Sequence, residues 1–179
     1  AFKCDLWRYA MLYVHGGVYI DIDLKELVPL RDIIFPFDQL VSVVDRKIFP
    51  DTPGCAIYQA FLGCVPRHPV MLKALLRSYE NIKRRKPVYK NTLFDITGPV
   101  VMGRALNDYL GREDLENILP GERGKGIRLF QFEDTGKYIV RGEGDSKGPI
   151  FSTVEGYSPE DHYVKVKVFY RPQKGKEKS

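Results

Sequence analysis

Four charged side chains near the start of the chain, Asp5, Arg8, Asp21 and Asp23, have the types and the spacing to do chemistry. Asp5 and Arg8 stand three apart in a helical pattern, on one face, where carboxylate and guanidinium can touch. Asp21 and Asp23 are separated by one residue at the end of an alternating stretch, which places both carboxylates on one side of a strand end. Carboxylates so placed repel each other unless a cation, hydrogen-bond donors or water come between them. Mg2+ and Mn2+ take carboxylate and water oxygens of this kind in an octahedral arrangement. Bound there, such an ion can neutralise negative charge that develops on a leaving group. Taken alone, the pair reads equally as a solvated strand end or a structural Ca2+ site.

The elements that position these groups are legible around them. Phe2, Leu6, Tyr9, Ala10 and Tyr13 recur at helical spacing and predict one buried stripe. Gly16 and Gly17 stop that helix, because glycine adopts the positive-φ conformation a C-cap often needs. A strand is expected from Val18 to Ile22, with Val18, Ile20 and Ile22 on one face and Tyr19, Asp21 and Asp23 on the other.

The whole of this stretch resembles the DXD sugar-binding region of retaining glycosyltransferases, especially glycosyltransferase family 32 (yeast-type α-1,6-mannosyltransferases and relatives). The large clostridial toxin glucosyltransferases share that core. The pattern is an Asp, an Arg three residues on, a Tyr-rich helix, Gly-Gly-x-Tyr and Asp-x-Asp; here it reads Asp5, Arg8, Tyr13, Gly16, Gly17, Tyr19, Asp21, Asp23, with Cys4 where a serine often precedes the first Asp. Two later blocks resemble the family in the same order. Gln59 precedes the short apolar run ending at Val65, and His68-Pro69 opens a helix, with Arg67 where the family has glycine. Thr97-Gly98-Pro99 opens another helix. The family's closing His and Ser-Trp pair has no clear counterpart: Trp7 is the single tryptophan, and the neighbours of His162 do not match.

Leu27–Leu30 and Ile33–Phe37 read as a strand exit and a turn closed by Pro36, Leu40–Val44 as a buried strand, and Arg46–Gly54 as loop. The helix after Pro69 is expected to bury Met71, Leu72, Leu75, Leu76, Tyr79 and Ile82, and Pro69 suits its first turn. The helix after Thr97 carries Val100, Val101, Ala105, Leu106, Tyr109 and Leu110 and stops at Gly111; Thr97 is expected as its cap, with Pro99 in the first turn. Glu113–Leu119 is a short helix at best and Gly121–Gly126 a loop. Strands are expected at Ile127–Phe132, Tyr138–Arg141, Ile150–Thr153 and Tyr163–Tyr170.

With 179 residues the chain fits one domain over 1–170, followed by a basic disordered tail, 171–179. The net charge of +5 says little about partners, since the tail holds four basic residues against one glutamate. A second basic cluster, Lys83, Arg84, Arg85 and Lys86, ends a helix, where cations suit the dipole. Nucleic acid is therefore not an expected partner. Three cysteines, Cys4, Cys55 and Cys64, with no CxxC pair argue against a zinc site or a disulfide scaffold; free thiols are the default and a Cys55–Cys64 bridge stays open. No run of the sequence approaches a membrane span.

The resemblance implies an α/β fold of the GT-A-like nucleotide-sugar transferase type, a Rossmann-like mixed sheet flanked by helices; the strand–helix units that open such a fold have no counterpart in the sequence, and the expectation is that the chain is an excerpt with that N-terminal part upstream. It implies a metal-dependent retaining hexosyltransferase that moves a sugar from a UDP- or GDP-sugar to a glycan, protein-linked sugar or other hydroxyl acceptor. Mn2+ or Mg2+ would be held by Asp21 and Asp23, and the donor by Asp5, Arg8, Tyr19, Asp21 and Gln59. Asp95 is the candidate catalytic or acceptor-side carboxylate. Another segment or chain is expected to complete the nucleotide pocket. A eukaryotic member with an upstream anchor would work in the Golgi lumen, others in the cytoplasm. Two alternatives stand beside this reading. One is a non-catalytic, sugar-binding relative; the other is a HAD-type phosphatase, whose Asp-x-Asp is followed by Thr or Val where this chain has Leu24.

Overall fold

Short β-rich segments alternating between two apolar faces must be covered on both sides, and helices with one apolar face can cover only one of them. In a computed structural model, which describes residues 2–45, 53–84, 93–121, 124–133, 137–140 and 148–153, the chain answers this with a curled mixed sheet and helices packed on its outer face. The elements are α1 (Phe2–His15), β1 (Gly17–Ile20), β2 (Leu24–Glu26), β3 (Leu40–Val43), β4 (Phe61–Cys64), α2 (Pro69–Arg84), α3 (Leu93–Ile96), α4 (Pro99–Leu110), β5 (Ile127–Phe132), β6 (Tyr138–Val140) and β7 (Phe151–Thr153). The mixed α/β architecture expected from the sequence is the one observed.

The strand order is β1-β4-β3-β5-β6-β7-β2, with β3 and β5 parallel and the other neighbours antiparallel. Consecutive strands β1 and β2 thus lie at opposite edges. In a flat sheet, six spacings of about 4.8 Å would hold them about 29 Å apart. The chain from Ile20 to Leu24 reaches at most about 14 Å, so the sheet must bend back until its two edges nearly meet. The Asp21–Asp23 turn sits at that seam.

Alternation along the strands sorts the core into two clusters. Leu40, Leu62, Cys64, Ile127 and Leu129 face the helices, beside Tyr9 and Leu12 of α1, Val70, Met71 and Ala74 of α2, and Met102, Ala105 and Leu106 of α4. Val41, Val43, Phe61 and Phe130 face the inside of the curl with Leu24, Ile139, Ile150 and Phe151. There Phe61 lies 4.7 Å from Phe151 and 6.0 Å from Phe130, centroid to centroid. Arg128, on the same side, bonds both oxygens of Asp38 and the carbonyl of Ile33, which ties the 33–38 turn to β5.

Several expectations need correction. The strand expected through Ile22 ends at Ile20; Asp21–Asp23 is a turn, closed by Leu24 N to Asp21 O at 3.1 Å, and Ile22 is fully exposed. The buried face of α1 centres on Arg8, Tyr9 and Leu12, because a charged residue with partners can lie inside where an apolar count would not place it. α2 buries Val70, Met71, Ala74, Ser78 and Asn81, whereas Leu76, Tyr79 and Ile82 are exposed. Asn81 is fixed inside by its bonds to the carbonyls of Asp95 and Ile96, which turns the helix away from its most apolar stripe. Thr97 does not cap α4: the N-cap is Gly98, with no side-chain bond, and Pro99 follows it. Residues 113–119 hold a single turn, closed by Glu116 N to Glu113 O at 3.0 Å, rather than a helix. No disulfide joins Cys55 to Cys64; both thiols are free and buried, and Cys4 is free and exposed. The loop over 46–52, the cations Arg85 and Lys86, residues 122–123 of the expected loop, Arg141, the strand Tyr163–Tyr170, His162 and the basic tail lie outside the described residues.

Gly103 sets how close α4 comes to the loop before β4. A Cβ there would stand 1.6 Å from the Cys55 carbonyl oxygen, a backbone atom that cannot swing aside. Gly103→Ala should therefore destabilise the fold by about 1–3 kcal/mol. Urea unfolding checks this: the midpoint should fall with an unchanged slope, and an unmoved midpoint would refute the close approach.

Candidate functional site

The C-terminal turns of α1 enter β1 through Gly16 and Gly17, at φ of +64° and +95°. At Gly16 a Cβ would also lie 2.6 Å from the nitrogen of Pro66, so the residue meets two demands at once. This geometry folds β1 back against α1, so that Tyr19 and the Asp21 turn stand beside the helix face that carries Asp5 and Arg8.

Arg8 is the hub of the resulting cluster. Its Nη1 donates to Asp5 Oδ1 at 3.0 Å and to Gln59 Oε1 at 2.8 Å. Its Nη2 donates to the Tyr19 hydroxyl at 3.2 Å and lies 3.6 Å from Asp21 Oδ1. The guanidinium also sits over the Tyr19 ring, 4.3 Å from its centroid, where cation–π attraction adds to the hydrogen bonds. Tyr19 donates its hydroxyl proton to Asp21 Oδ1. Burial works against the charge on Arg8, but the Tyr19 bond and the carboxylates of Asp5 and Asp21 outweigh it and hold its pKa above the usual value.

Asp5 is held on both oxygens. Arg8 takes Oδ1, and the Thr97 hydroxyl donates to Oδ2 at 2.7 Å. Burial raises its pKa, opposed first by the Thr97 bond and then by Arg8. Beneath it the Tyr9 hydroxyl lies 2.8 Å from the Thr97 carbonyl, 3.1 Å from Gln59 Oε1 and 3.3 Å from the Gly98 carbonyl. Its one proton can serve a single acceptor at a time, and the Thr97 carbonyl is nearest. Side-chain exposure of Asp5 is 15% and of Asp21 35%, so both remain reachable from solvent while Arg8 is nearly closed off at 6%.

Of the sequence-predicted site residues, Asp5, Arg8, Tyr19, Asp21 and Gln59 come together directly. Gln59 is buried, its carbonyl oxygen turned to Arg8 and Tyr9 and its amide toward the Ile57 carbonyl at 3.4 Å. Asp23 lies at the far end of the Asp21 turn, partly exposed. Asp95 is elsewhere. It is fully buried, its Oδ1 lies 3.6 Å from Arg104 Nη1, and Arg104 also grips Asp114 at 2.6 Å. The sequence assigns Tyr9 to an apolar stripe and Thr97 to a helix cap. Their spacing carried no sign of the contacts they make, which span 88 and 92 residues.

Asp21 and Asp23 offer hard oxygen donors at a turn, with Asp21 Oδ1 engaged by Tyr19 and Arg8. Among the described residues no group of three His, Cys, Asp or Glu side chains gathers around a common point. Two carboxylates with the remaining positions left to water and phosphate oxygens suit Mg2+ or Mn2+, which usually keep several such ligands. The two buried cysteines are unsuited to chemistry: burial pushes Cys55 up to about 11 and Cys64 up to about 12, which keeps both protonated.

Residues 1–41 match the family model described as "Glycosyltransferase sugar-binding region containing DXD motif". The chain is 27% identical over 136 residues to an initiation-specific alpha-1,6-mannosyltransferase of Schizosaccharomyces pombe, covering 65% of this chain and 34% of that protein. It is 32% identical over 110 residues to a mannosyl phosphorylinositol ceramide synthase of Saccharomyces cerevisiae, covering 60% and 25%. Among solved structures it resembles the PaToxG glycosyltransferase at a TM-score of 0.48 and 20% identity, over 62% of this chain and 35% of that one. The stretch that carries Asp5, Arg8, Asp21 and Asp23 lies within the residues that match this sugar-binding model, in line with its resemblance to family 32. The chain spans a quarter to a third of the length of these curated relatives.

His68, part of the second block, opens α2 from within the core. Its Nδ1 accepts from Val70 N at 3.3 Å, and burial lowers its pKa to about 4 from 6.5. The fold holds the imidazole neutral, so between about 4 and 6.5 the unfolded chain binds more protons, and stability falls as pH drops through that window. The slope should approach about 1.4 kcal/mol per pH unit. Urea midpoints measured from pH 7 to 4 should show it as the difference between the wild type and His68→Asn, which keeps an acceptor for Val70; parallel pH curves would refute it.

Proposed function

We propose that the protein is a metal-dependent glycosyltransferase, a retaining hexosyltransferase that takes a UDP- or GDP-sugar as donor and a glycan, protein-linked sugar or other hydroxyl compound as acceptor. The observation that carries this reading is the Arg8 cluster: one buried guanidinium organises Asp5, Tyr19, Gln59 and Asp21 beside the Asp-x-Asp turn, within the stretch that matches the sugar-binding family. The mannosyl-transferring relatives support a sugar donor of that class.

In this reading the free lone pairs of Asp5 accept hydrogen bonds from donor-sugar hydroxyls, and Arg8 holds Asp5 and the sugar in register. Asp21 keeps one oxygen on Tyr19 and presents the other to the ribose or the cation, and Asp23 binds the cation directly. When bound, Mn2+ or Mg2+ neutralises the charge that gathers on the diphosphate leaving group. Asp95 would have to be uncovered to act as a catalytic carboxylate, since it is fully buried beside Arg104.

A further polypeptide segment, of this protein or another, belongs to the reading as the part that completes the nucleotide pocket. Its support is that β1, next to the site, has one strand neighbour among the described residues, while Trp7, Met11 and Val14 of the adjoining helix are exposed. No described helix is long and apolar enough to cross a membrane. A Golgi lumen setting goes with this reading for a eukaryotic source, and the cytoplasm for others.

Binding and hydrolysis of a panel of UDP- and GDP-sugars, with and without Mn2+ or Mg2+, tests the proposal. Turnover should need the metal, disappear with chelator, and fall by at least about a hundredfold in Asp23→Ala, within the range seen when an electrostatic partner of a transition state is removed. Donor binding by a folded wild type with no hydrolysis would favour a non-catalytic sugar-binding relative.

A further inference from the structure

We propose that Thr97 is a positioning residue for Asp5: its hydroxyl fixes one carboxylate oxygen so that the remaining lone pairs are aimed outward at a ligand hydroxyl. The inference deepens the sugar-donor reading and rests on it for the identity of the ligand.

A threonine just before a helix ordinarily turns its hydroxyl to nearby backbone, as a cap or a local turn. Thr97 does not. α4 starts at Pro99 behind the N-cap Gly98, with no side-chain cap, and the Thr97 hydroxyl instead reaches a carboxylate 92 residues away at 2.7 Å. Thr97 is fully buried, and its own carbonyl is anchored by the Tyr9 hydroxyl at 2.8 Å, so the residue is fixed at both polar groups. Tyr9 follows Arg8 on the same helix. The arrangement therefore joins α1 to the start of α4 through one aromatic hydroxyl and one aliphatic one.

The consequence for Asp5 follows from counting its donors. Two described donors face the carboxylate: the Arg8 guanidinium on Oδ1 and the Thr97 hydroxyl on Oδ2. Arg8 is shared with Gln59, Tyr19 and Asp21, so the Arg8 charge is divided between two carboxylates. Thr97 alone is dedicated to Asp5. Without its proton, Oδ2 would be left partly desolvated and the carboxylate would be free to turn about Cβ–Cγ. Its negative charge and its aim at a hydroxyl donor would weaken together.

The test has one arm that needs no donor. The Asp5 carboxyl is titrated by 13C NMR in wild type, Thr97→Val, which keeps the shape without the hydroxyl, and Thr97→Ser, which keeps the hydroxyl. The midpoint should rise in Thr97→Val, return toward wild type in Thr97→Ser, and rise by a smaller amount in Tyr9→Phe, which frees the Thr97 carbonyl. Thr97→Ala takes the place of the valine variant if that one does not fold. In the second arm, donor affinity in the presence of Mn2+ should weaken roughly tenfold or more in Thr97→Val, as expected for loss of a hydrogen bond to a charged group. Its acid limb should move to higher pH, and Thr97→Ser should recover both. A midpoint unchanged in the hydroxyl-free variants, or no recovery in the serine variant, would overturn the proposal. Failure of wild type to bind any donor would sink the transferase reading instead, while the titration would still decide the role of Thr97.

Discussion

A buried guanidinium is the constraint around which the N-terminal half is built. Arg8 is almost wholly withdrawn from water, and a charge in that position is tolerated only when partners replace its hydration. Its partners come from four places in the sequence: Asp5 from its own helix, Tyr19 from β1, Asp21 from the turn and Gln59 from the segment before β4. Removing one member of such a buried set typically destabilises by about 3–5 kcal/mol, because the others are left unpaired. The same electrostatics that makes the cluster expensive to disturb holds two carboxylates side by side near the surface.

The curl of the sheet supplies the other half of the arrangement. β1 and β2 lie at opposite ends of the strand order yet are joined by three residues, so the Asp21–Asp23 turn is pinned where the edges meet. Asp21 N bonds the Ala60 carbonyl at 2.9 Å, which fixes the turn to the strand that follows Gln59. Phe61, Phe130 and Phe151 fill the inside of the curl. Site geometry thus depends on aromatic packing that never touches the site.

Other buried ion pairs in the fold have a different character. Arg128 with Asp38 ties a turn to β5, Arg104 with Asp95 and Asp114 ties α4 to α3 and to the loop that follows α4, and in each the arginine and one carboxylate are at most 9% exposed at the side chain. In the Arg8 cluster the carboxylates open to solvent while the arginine does not. That asymmetry is what a binding site needs, since the ligand must reach the acceptors without displacing the cation that orients them.

The sequence by itself determined the local facts. Helical spacing placed Asp5 beside Arg8, Gly16 and Gly17 ended α1, Pro69 began α2, Gly111 ended α4, the strand at 40–43 followed from a short apolar run, and the strand at 127–132 lies where it was expected. These depend on neighbours within a few residues, where backbone geometry and period suffice. Tertiary structure alone decided the rest. It ended the strand before Asp21, turned α2 away from its most apolar stripe, buried Asp95, and directed Thr97 to Asp5 rather than to its own helix. Each of those outcomes is set by a partner tens of residues away, and burial of a paired polar group can outweigh the apolar periodicity from which a single sequence is read.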